Sequence, residues 1–236
     1  MKPTLVLALV AAMAAFAGRA HATGTYESYD AFYAAQPGAV FGEPIPAKPG
    51  VVYSNLGERG IHTERLATLE GKAVQVELGE DHVTVNGRTY RYANAATFPG
   101  EHPSDISPQT ADVFLAARTN THPAVLCMQG GSDGSGEADR HTQIYLLVNP
   151  FGSKGKATFL HLPSLLSSCR AVLETKDGLA FPRNSYLLDS AQESRVGLLV
   201  SYYTFENPRF VPTRNEIQLR FSQPEIPFQF SIQNRD

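Results

Sequence analysis

A glycine-rich stretch near the middle of the chain carries the residues most suited to chemistry by type and spacing. Residues 130–134 read Gly-Gly-Ser-Asp-Gly and match the G-x-S-x-G pattern of a nucleophile elbow, in which Ser132 would attack an acyl carbon. An elbow must lead directly into a helix, whereas Ser135-Gly136 is a poor helix start, and no histidine follows His161 to complete the usual Ser–Asp–His order. The motif therefore indicates a flexible connection between two strands more than a hydrolase nucleophile.

The same connection is acidic and ends on a histidine. Ca²⁺ takes six to eight oxygen ligands, but the spacing is not that of an EF-hand loop, so a solvated acidic loop explains these residues without a metal. Long connections in compact β domains are often functional. We therefore predict a contact surface formed by Ser132, Asp133, Glu137, Asp139 and His141.

Cys127 and Cys169 are the two cysteines of the chain and lie on either side of this loop. In an exported protein two cysteines are most simply one disulfide bond, with free thiols or metal ligation as the alternatives. The bond would close a loop of about 40 residues, which the chain-entropy model values at about 4 kcal/mol. A thioredoxin-like redox role would need a C-x-x-C motif, which the sequence lacks.

Two further histidines, His102 and His122, each precede a proline. They could be ligands, but histidines in such loops usually contribute polar surface. No H-E-x-x-H, H-x-H or C-x-x-C pattern supports zinc, so the sequence predicts no metal and no cofactor. Paired carboxylates for glycoside hydrolysis stay open, because the two groups need only be near in space.

The N-terminus has the pattern of a secretory signal peptide. Lys2 precedes an apolar segment at residues 5–17, and Ala20-His21-Ala22 matches the A-x-A cleavage pattern. We predict a signal peptide over residues 1–22, cleavage after Ala22, and a periplasmic or extracellular location. No later apolar run reaches the roughly 20 residues of a membrane helix, so the mature protein is expected to be soluble.

The charge balance limits the classes of partner. The formal net charge is −3, and cleavage after Ala22 would remove Lys2 and Arg19 and make it more negative. Because the chain also lacks a basic cluster, nucleic acid and anionic lipid surfaces are not expected as partners.

The chain that follows the predicted signal peptide divides into two parts that differ in composition and residue pattern. Over residues 23–50, near-helical spacing of Tyr26, Tyr29 and Phe32 predicts a short helix, and a proline- and glycine-rich connector follows. Residues 51–236 consist of short strands and turns, and we predict that they form the β-rich domain.

Three patterns define the strands of this domain. Residues 72–78 alternate apolar with polar side chains, and Asn86-Gly87 is typical of a two-residue type I′ hairpin. Residues 113–117, 124–128 and 143–148 are mostly apolar, as in central strands that are covered on both faces.

A short helical segment is predicted near residues 163–169, where leucines at helical spacing lead to Cys169. Dense aromatic residues near the C-terminus indicate a core, and an exposed subset could form a sugar- or peptide-binding face. The predicted fold class is mainly β: an antiparallel sandwich or barrel-like single domain with a short N-terminal helix.

These patterns favour a non-catalytic function. We predict a module that binds or inhibits a protein or polysaccharide partner in the envelope or among secreted molecules. The alternative is a hydrolase that acts on cell-envelope polymers or esters. A pocket in which a histidine meets a carboxylate and a hydroxyl within hydrogen-bonding distance would favour the hydrolase.

Overall fold

The computed structural model describes residues 25–54, 61–131, 142–152 and 156–233. The described chain is mostly β with very little helix, which confirms the predicted fold class. None of its helices has the length and apolar character needed to cross a membrane.

The strands in these ranges form three sheets of five strands each, built from successive parts of the chain. The N-terminal sheet, in the order β1-β2-β3-β4-β5, consists of β1 Ala47–Ser54, β2 Ile61–Leu69, β3 Lys72–Leu78, β4 His82–Val85 and β5 Arg88–Arg91. The central sheet, in the order β6-β10-β9-β8-β7, consists of β6 Ala96–Thr97, β7 Asp112–Ala116, β8 Val125–Gly131, β9 Thr142–Val148 and β10 Thr158–Leu162. The C-terminal sheet, in the order β11-β12-β13-β14-β15, consists of β11 Leu173–Thr175, β12 Gly178–Leu188, β13 Arg195–Glu206, β14 Arg209–Gln223 and β15 Ile226–Ile232. Among these strands β6 and β10 pair in parallel, and the other pairs are antiparallel.

The central sheet is covered on both faces by the other two sheets. Successive side chains of a strand point to opposite faces. On β8, Leu126 and Met128 pack in the core shared with the N-terminal sheet, whereas Val125 and Cys127 pack in the core shared with the C-terminal sheet. All four side chains are fully buried. The prediction of central strands covered on both faces is therefore confirmed for residues 124–128 and 143–148, which form β8 and β9. It is wrong for residues 113–117, because β7 lies at the edge of the sheet and, among the described strands, pairs only with β8.

The N-terminal sheet follows the predicted alternation. On β3, Val74, Val76 and Leu78 are buried and face the central sheet. Asn86 and Gly87 join β4 to β5 with φ angles of 47° and 78°, the left-handed conformations that a type I′ hairpin requires. The hairpin prediction is confirmed.

The predicted N-terminal helix is present as α1 Tyr29–Ala34. The Ser28 hydroxyl caps it by accepting a hydrogen bond from the Ala31 backbone N–H, at 3.5 Å. Phe32 and Tyr33 are fully buried in the core that α1 shares with the C-terminal sheet. A helix of six residues is marginal alone, so this packing must supply most of its stability.

The helical segment expected at residues 163–169 forms a few residues later, as a 3₁₀ turn at Cys169–Ala171. Leu166 has a φ angle of 47°, which interrupts a right-handed helix at that position. Its carbonyl oxygen accepts hydrogen bonds from the Tyr33 hydroxyl at 3.1 Å and the Asn184 side-chain amide at 3.0 Å. Tertiary contacts therefore displace the helix that the leucine spacing indicates.

Cys127 and Cys169 lie at disulfide-bonding distance, as predicted, with their Cα atoms 5.8 Å apart. Cys127 belongs to β8, and Cys169 begins the 3₁₀ turn that leads to the C-terminal sheet. The Gln129 side-chain oxygen also accepts a hydrogen bond from the Cys169 backbone N–H, at 2.7 Å. One covalent and one polar contact thus tie the central sheet to the segment that precedes β11.

Candidate functional site

The contact surface predicted from the sequence cannot be placed. Ser132, Asp133, Glu137, Asp139 and His141 lie outside the described residues. The flanking strands β8 and β9 are adjacent and antiparallel, with Gly131 opposite Thr142. The surface itself stays a prediction.

A cleft of about 260 Å³ lies between the central sheet and the C-terminal sheet. Side chains of β9 and β10 form one wall, and side chains of β12 and β13 form the other. The apolar part of this lining consists of Leu146, Val148, Leu160, Leu179, Phe181 and Phe205. The two sheets touch here without filling the space between them, so the cleft can bury an apolar group.

Polar groups from four separate segments complete the lining. The polar residues that line it are Thr121, Thr158, Asp177, Thr204 and Glu206. Thr204 and Glu206 alternate with Phe205 on β13, so they contribute mainly backbone to the wall that Phe205 forms. Asp177 belongs to the turn before β12, whereas Glu206 is the last residue of β13. Neither carboxylate forms an ion pair with any residue in the described ranges. Apolar walls with a few convergent polar groups are the composition expected of a binding site.

His122 also lines the cleft and is only 5 % exposed. Its Nδ1 atom lies 2.6 Å from the Pro123 carbonyl oxygen. A carbonyl oxygen only accepts hydrogen bonds, so Nδ1 carries the hydrogen and Nε2 of the neutral ring is left as an acceptor. The expectation that this histidine contributes polar surface is wrong, because the loop that carries it folds against the cleft.

Glu174 of β11 adds a negative charge next to this lining. Its carboxylate accepts hydrogen bonds from the hydroxyl of Thr119, at 2.6 Å, and from the hydroxyl of Thr121, which lines the cleft. These two hydrogen bonds hold the pKa of the Glu174 carboxyl below its ordinary value. Glu174 is therefore ionised at neutral pH.

The histidine rings in the described ranges lack the partners of a catalytic triad. The Nδ1 atom of His82 lies 2.6 Å from the Asp81 carboxylate, and His62 lies 3.4 Å from a carboxylate oxygen of Glu77. Neither ring forms a hydrogen bond with a hydroxyl in this part of the chain. The described residues also contain no group of three or more side chains suited to holding a metal ion.

His161 is buried for structural reasons. Its Nε2 atom lies 2.8 Å from the Gln143 side-chain oxygen, and its ring packs 4.9 Å from the ring of Tyr145. Burial and the nearby positive charge of His102 lower the pKa of His161 to about 4. The ring is therefore neutral at pH 7. It packs in the core and makes one polar contact, with the Gln143 side chain.

The residues of the cleft share no sequence motif, which is why the sequence analysis missed them. Asp177-Gly178 has the composition of a turn, and Asn207-Pro208 follows Glu206 as another, but a turn composition carries no functional information. Only the stacking of two sheets brings these turns next to His122. Comparisons with protein-family models, with curated proteins and with solved structures found no match for this chain.

Proposed function

We propose that this chain is an exported, non-catalytic binding module that holds an apolar group of a protein partner in the cleft between the central and C-terminal sheets. The observation that carries the proposal is the cleft itself, which has apolar walls contributed by two sheets and polar residues, among them His122, at its margin. Such a site can bind an apolar group by desolvation and orient it by hydrogen bonds.

The volume favours part of a macromolecule over a whole small molecule. Sites for drug-sized ligands usually measure roughly 300 to 1,000 Å³, whereas this cleft measures about 260 Å³. A single side chain that projects from a partner protein fits this space. Apolar walls suit a side chain better than a sugar ring, so a protein is favoured over a polysaccharide.

The polar contacts of the histidines favour binding over hydrolysis. His122 is the imidazole in the cleft, and its Nδ1–H donates to a carbonyl oxygen. A general base that activates a nucleophile needs a third group, commonly a carboxylate, to orient it. The hydrolase alternative would need such a group on His122, and the described contacts supply none.

Export is part of the proposal. Residues 1–22 carry the signal-peptide pattern, and the cysteines at disulfide-bonding distance suit an oxidising compartment, where such bonds persist. We place the binding activity in the periplasm or outside the cell.

The binding proposal can be tested by NMR titration with neutral apolar probes. 1-Hexanol and benzyl alcohol should shift the backbone amide signals of Leu146, Leu160 and Phe181, with dissociation constants on the order of 1 mM. Thr158→Trp, on the same face of β10 as Leu160, fills the cleft and should abolish these shifts. Ser222→Trp, at an exposed position of β14, is the matched control and should leave them intact.

Two results would overturn the proposal. One is the absence of shifts at the cleft residues with either probe. The other is equal binding to the Thr158→Trp and Ser222→Trp variants, which would place the probe elsewhere.

A further inference from the structure

We propose that the free edge of β5 binds an extended, acidic segment of a partner protein, which adds to the N-terminal sheet as a further strand. This edge belongs to the sheet on the other side of the central sheet from the cleft, so the inference does not depend on the binding function proposed above. The backbone direction of β5, an aromatic groove beside it and the charge of the edge each support it.

The hydrogen bonds of β4 show which backbone groups of β5 point away from the sheet. The His82 carbonyl accepts a hydrogen bond at 2.9 Å from the backbone N–H of Gly79, which follows β3, so the backbone groups of His82 point towards β3. Arg91 lies opposite His82 and therefore has its own N–H and C=O directed outwards. The same direction recurs two positions earlier along the strand, at Thr89.

These outward groups are unpaired in the described chain. Among the described strands β5 pairs with β4 alone. Neither Thr89 nor Arg91 makes a further hydrogen bond to a described backbone group, and both residues are exposed. Such an edge is a template on which an extended segment of another chain can pair.

A groove of about 500 Å³ runs beside this edge and offers an apolar contact. Its lining consists of Thr89, Tyr90, Arg91, Asn94 and Phe159. The half-buried rings of Tyr90 and Phe159 have centroids 5.9 Å apart and lie at the margin between the N-terminal and central sheets. Residues directly opposite each other on adjacent strands share a face, so the residue opposite Tyr90 projects towards these two rings. A β-branched apolar side chain suits this position.

The positive charge of the edge determines the kind of segment that fits. Arg88 and Arg91 are both exposed. Arg91 forms an ion pair with Asp81 at 2.5 Å, whereas Arg88 forms none with a described residue. Pairing with a second copy of β5 would bring further arginines to the same edge, and like charges on adjacent strands are destabilising. An acidic residue opposite Arg88 gains an ion pair instead, so the matching partner is an acidic segment.

A short peptide with the matching pattern tests the inference. Acetyl-Thr-Glu-Val-Thr-Glu-Thr-amide, paired antiparallel, places valine opposite Tyr90 and one glutamate opposite each of Arg88 and Arg91. In an NMR titration of the full protein at low salt, it should shift the backbone amide signals of Thr89, Tyr90 and Arg91, with a dissociation constant on the order of 1 mM. The same peptide with lysine in place of both glutamates should bind about tenfold more weakly, because its charges repel the arginines.

N-methylation of the peptide tests the backbone pairing without any change to the protein. Methyl groups on the second and fourth peptide residues remove the N–H groups that face Arg91 and Thr89, and should weaken binding by about tenfold or more. Methyl groups on the third and fifth peptide residues remove N–H groups that face solvent, and should change the affinity by no more than about twofold. Equal weakening by the two modifications would contradict strand addition.

Two substitutions at one position locate the site. Thr89→Pro removes the outward N–H and leaves the hydrogen bonds between β4 and β5, because an edge strand tolerates proline where the N–H faces solvent. Thr89→Val is the matched control, since it keeps the N–H and equally loses the hydroxyl contact with Thr84. The proline variant should bind the glutamate peptide about tenfold more weakly, and the valine variant should bind it as the unmodified protein does. Unchanged amide signals of Val83 and Val85 in the proline variant show that the hairpin is folded.

Three results would overturn the inference. They are the absence of shifts in β5 with the glutamate peptide, equal binding of that peptide to the proline and valine variants, and binding of the lysine peptide at least as tight as that of the glutamate peptide. Peptide shifts confined to cleft residues such as Leu146 would also overturn it, while supporting the binding function proposed for the cleft.

Discussion

The two faces of the central sheet are packed differently. Towards the N-terminal sheet the space is filled by a run of aromatic rings: Tyr92 stacks on Tyr145 with centroids 4.4 Å apart, and Tyr145 stacks on Phe159 at 5.6 Å. Towards the C-terminal sheet, the side chains of β9 and β10 leave a cleft of about 260 Å³. One interface is packed around stacked aromatic rings, and the other has a cleft between its two layers.

This difference shows how a layered β protein can combine stability with a binding site. Close packing on one face gives the central sheet a rigid base. On the other face, the linked cysteines hold the layers near the opening, since Cys127 lies opposite Leu146, which lines the cleft. A cleft whose walls are held in place loses less conformational entropy on binding.

The largest expected effect comes from removing the Cys127–Cys169 disulfide bond, which lies between the central sheet and the segment before β11. Replacing Cys127 and Cys169 together by alanine should lower the free energy of unfolding by about 4 kcal/mol, because the unfolded chain regains the freedom of a loop spanning 42 positions. Urea denaturation of the oxidised protein and the variant measures this. Amide hydrogen exchange should increase first in β12 and at Cys169–Ala171. Earlier exchange in β3 would contradict the view that the disulfide bond stabilises the interface between the central and C-terminal sheets.

The buried histidine makes stability depend on pH. The pKa of His161 is lowered to about 4 from an ordinary 6.5, chiefly by burial, so the unfolded chain binds the proton more tightly. His161 should therefore cost no stability above about pH 6.5 and progressively more as the pH falls towards 4, levelling off below it at about 3 kcal/mol. Urea denaturation at pH 7.5 and pH 4.5 measures the difference. His161→Gln should lose less stability between these pH values than the unmodified protein, and equal losses would rule His161 out.

A matched pair of leucines compares the two interfaces directly. Leu126 faces the N-terminal sheet and Leu160 lines the cleft, and both are buried. Leu126→Ala should cost about 3 kcal/mol because it leaves an enclosed cavity, whereas Leu160→Ala should cost about 1 kcal/mol less because the space it leaves joins an opening that water can enter. Urea denaturation of the two variants gives the comparison. Equal costs would mean that the cleft is closed in solution.

The smallest effect is expected at Asp177, a polar residue that lines the cleft. Asp177 is exposed and makes no ion pair in the described chain, so Asp177→Asn should change the free energy of unfolding by no more than about 0.5 kcal/mol. Thermal denaturation at low salt measures it. A loss of several times this size would assign the carboxylate a structural role and weaken the case for recognition.

Much of the fold could be predicted from local patterns. The alternation over β3, the hairpin at Asn86-Gly87 and the apolar runs of the central strands follow from geometry that repeats every two residues. Compositional context also predicted the pairing of Cys127 with Cys169. Less could be predicted where remote contacts compete: the carbonyl of Leu166 is bound by Tyr33 and Asn184, and the predicted helix gives way to a turn.

The candidate site was beyond local patterns. His122, Asp177 and Glu206 sit in unrelated contexts, and the burial of His122 depends on how its loop folds against the cleft. The loop from Ser132 to His141, for which the sequence predicts a contact surface, lies outside the described residues. That contact surface stays a prediction.

The sequence by itself determined which segments are strands, which faces of the central strands are apolar and which sulfurs can join, because these properties depend on residue type and on short, regular spacing. Only the tertiary structure decided where two sheets leave a cleft between them, and therefore which residues line it. That outcome depends on the sizes of side chains from distant parts of the chain meeting across an interface, and no pattern within one segment records it.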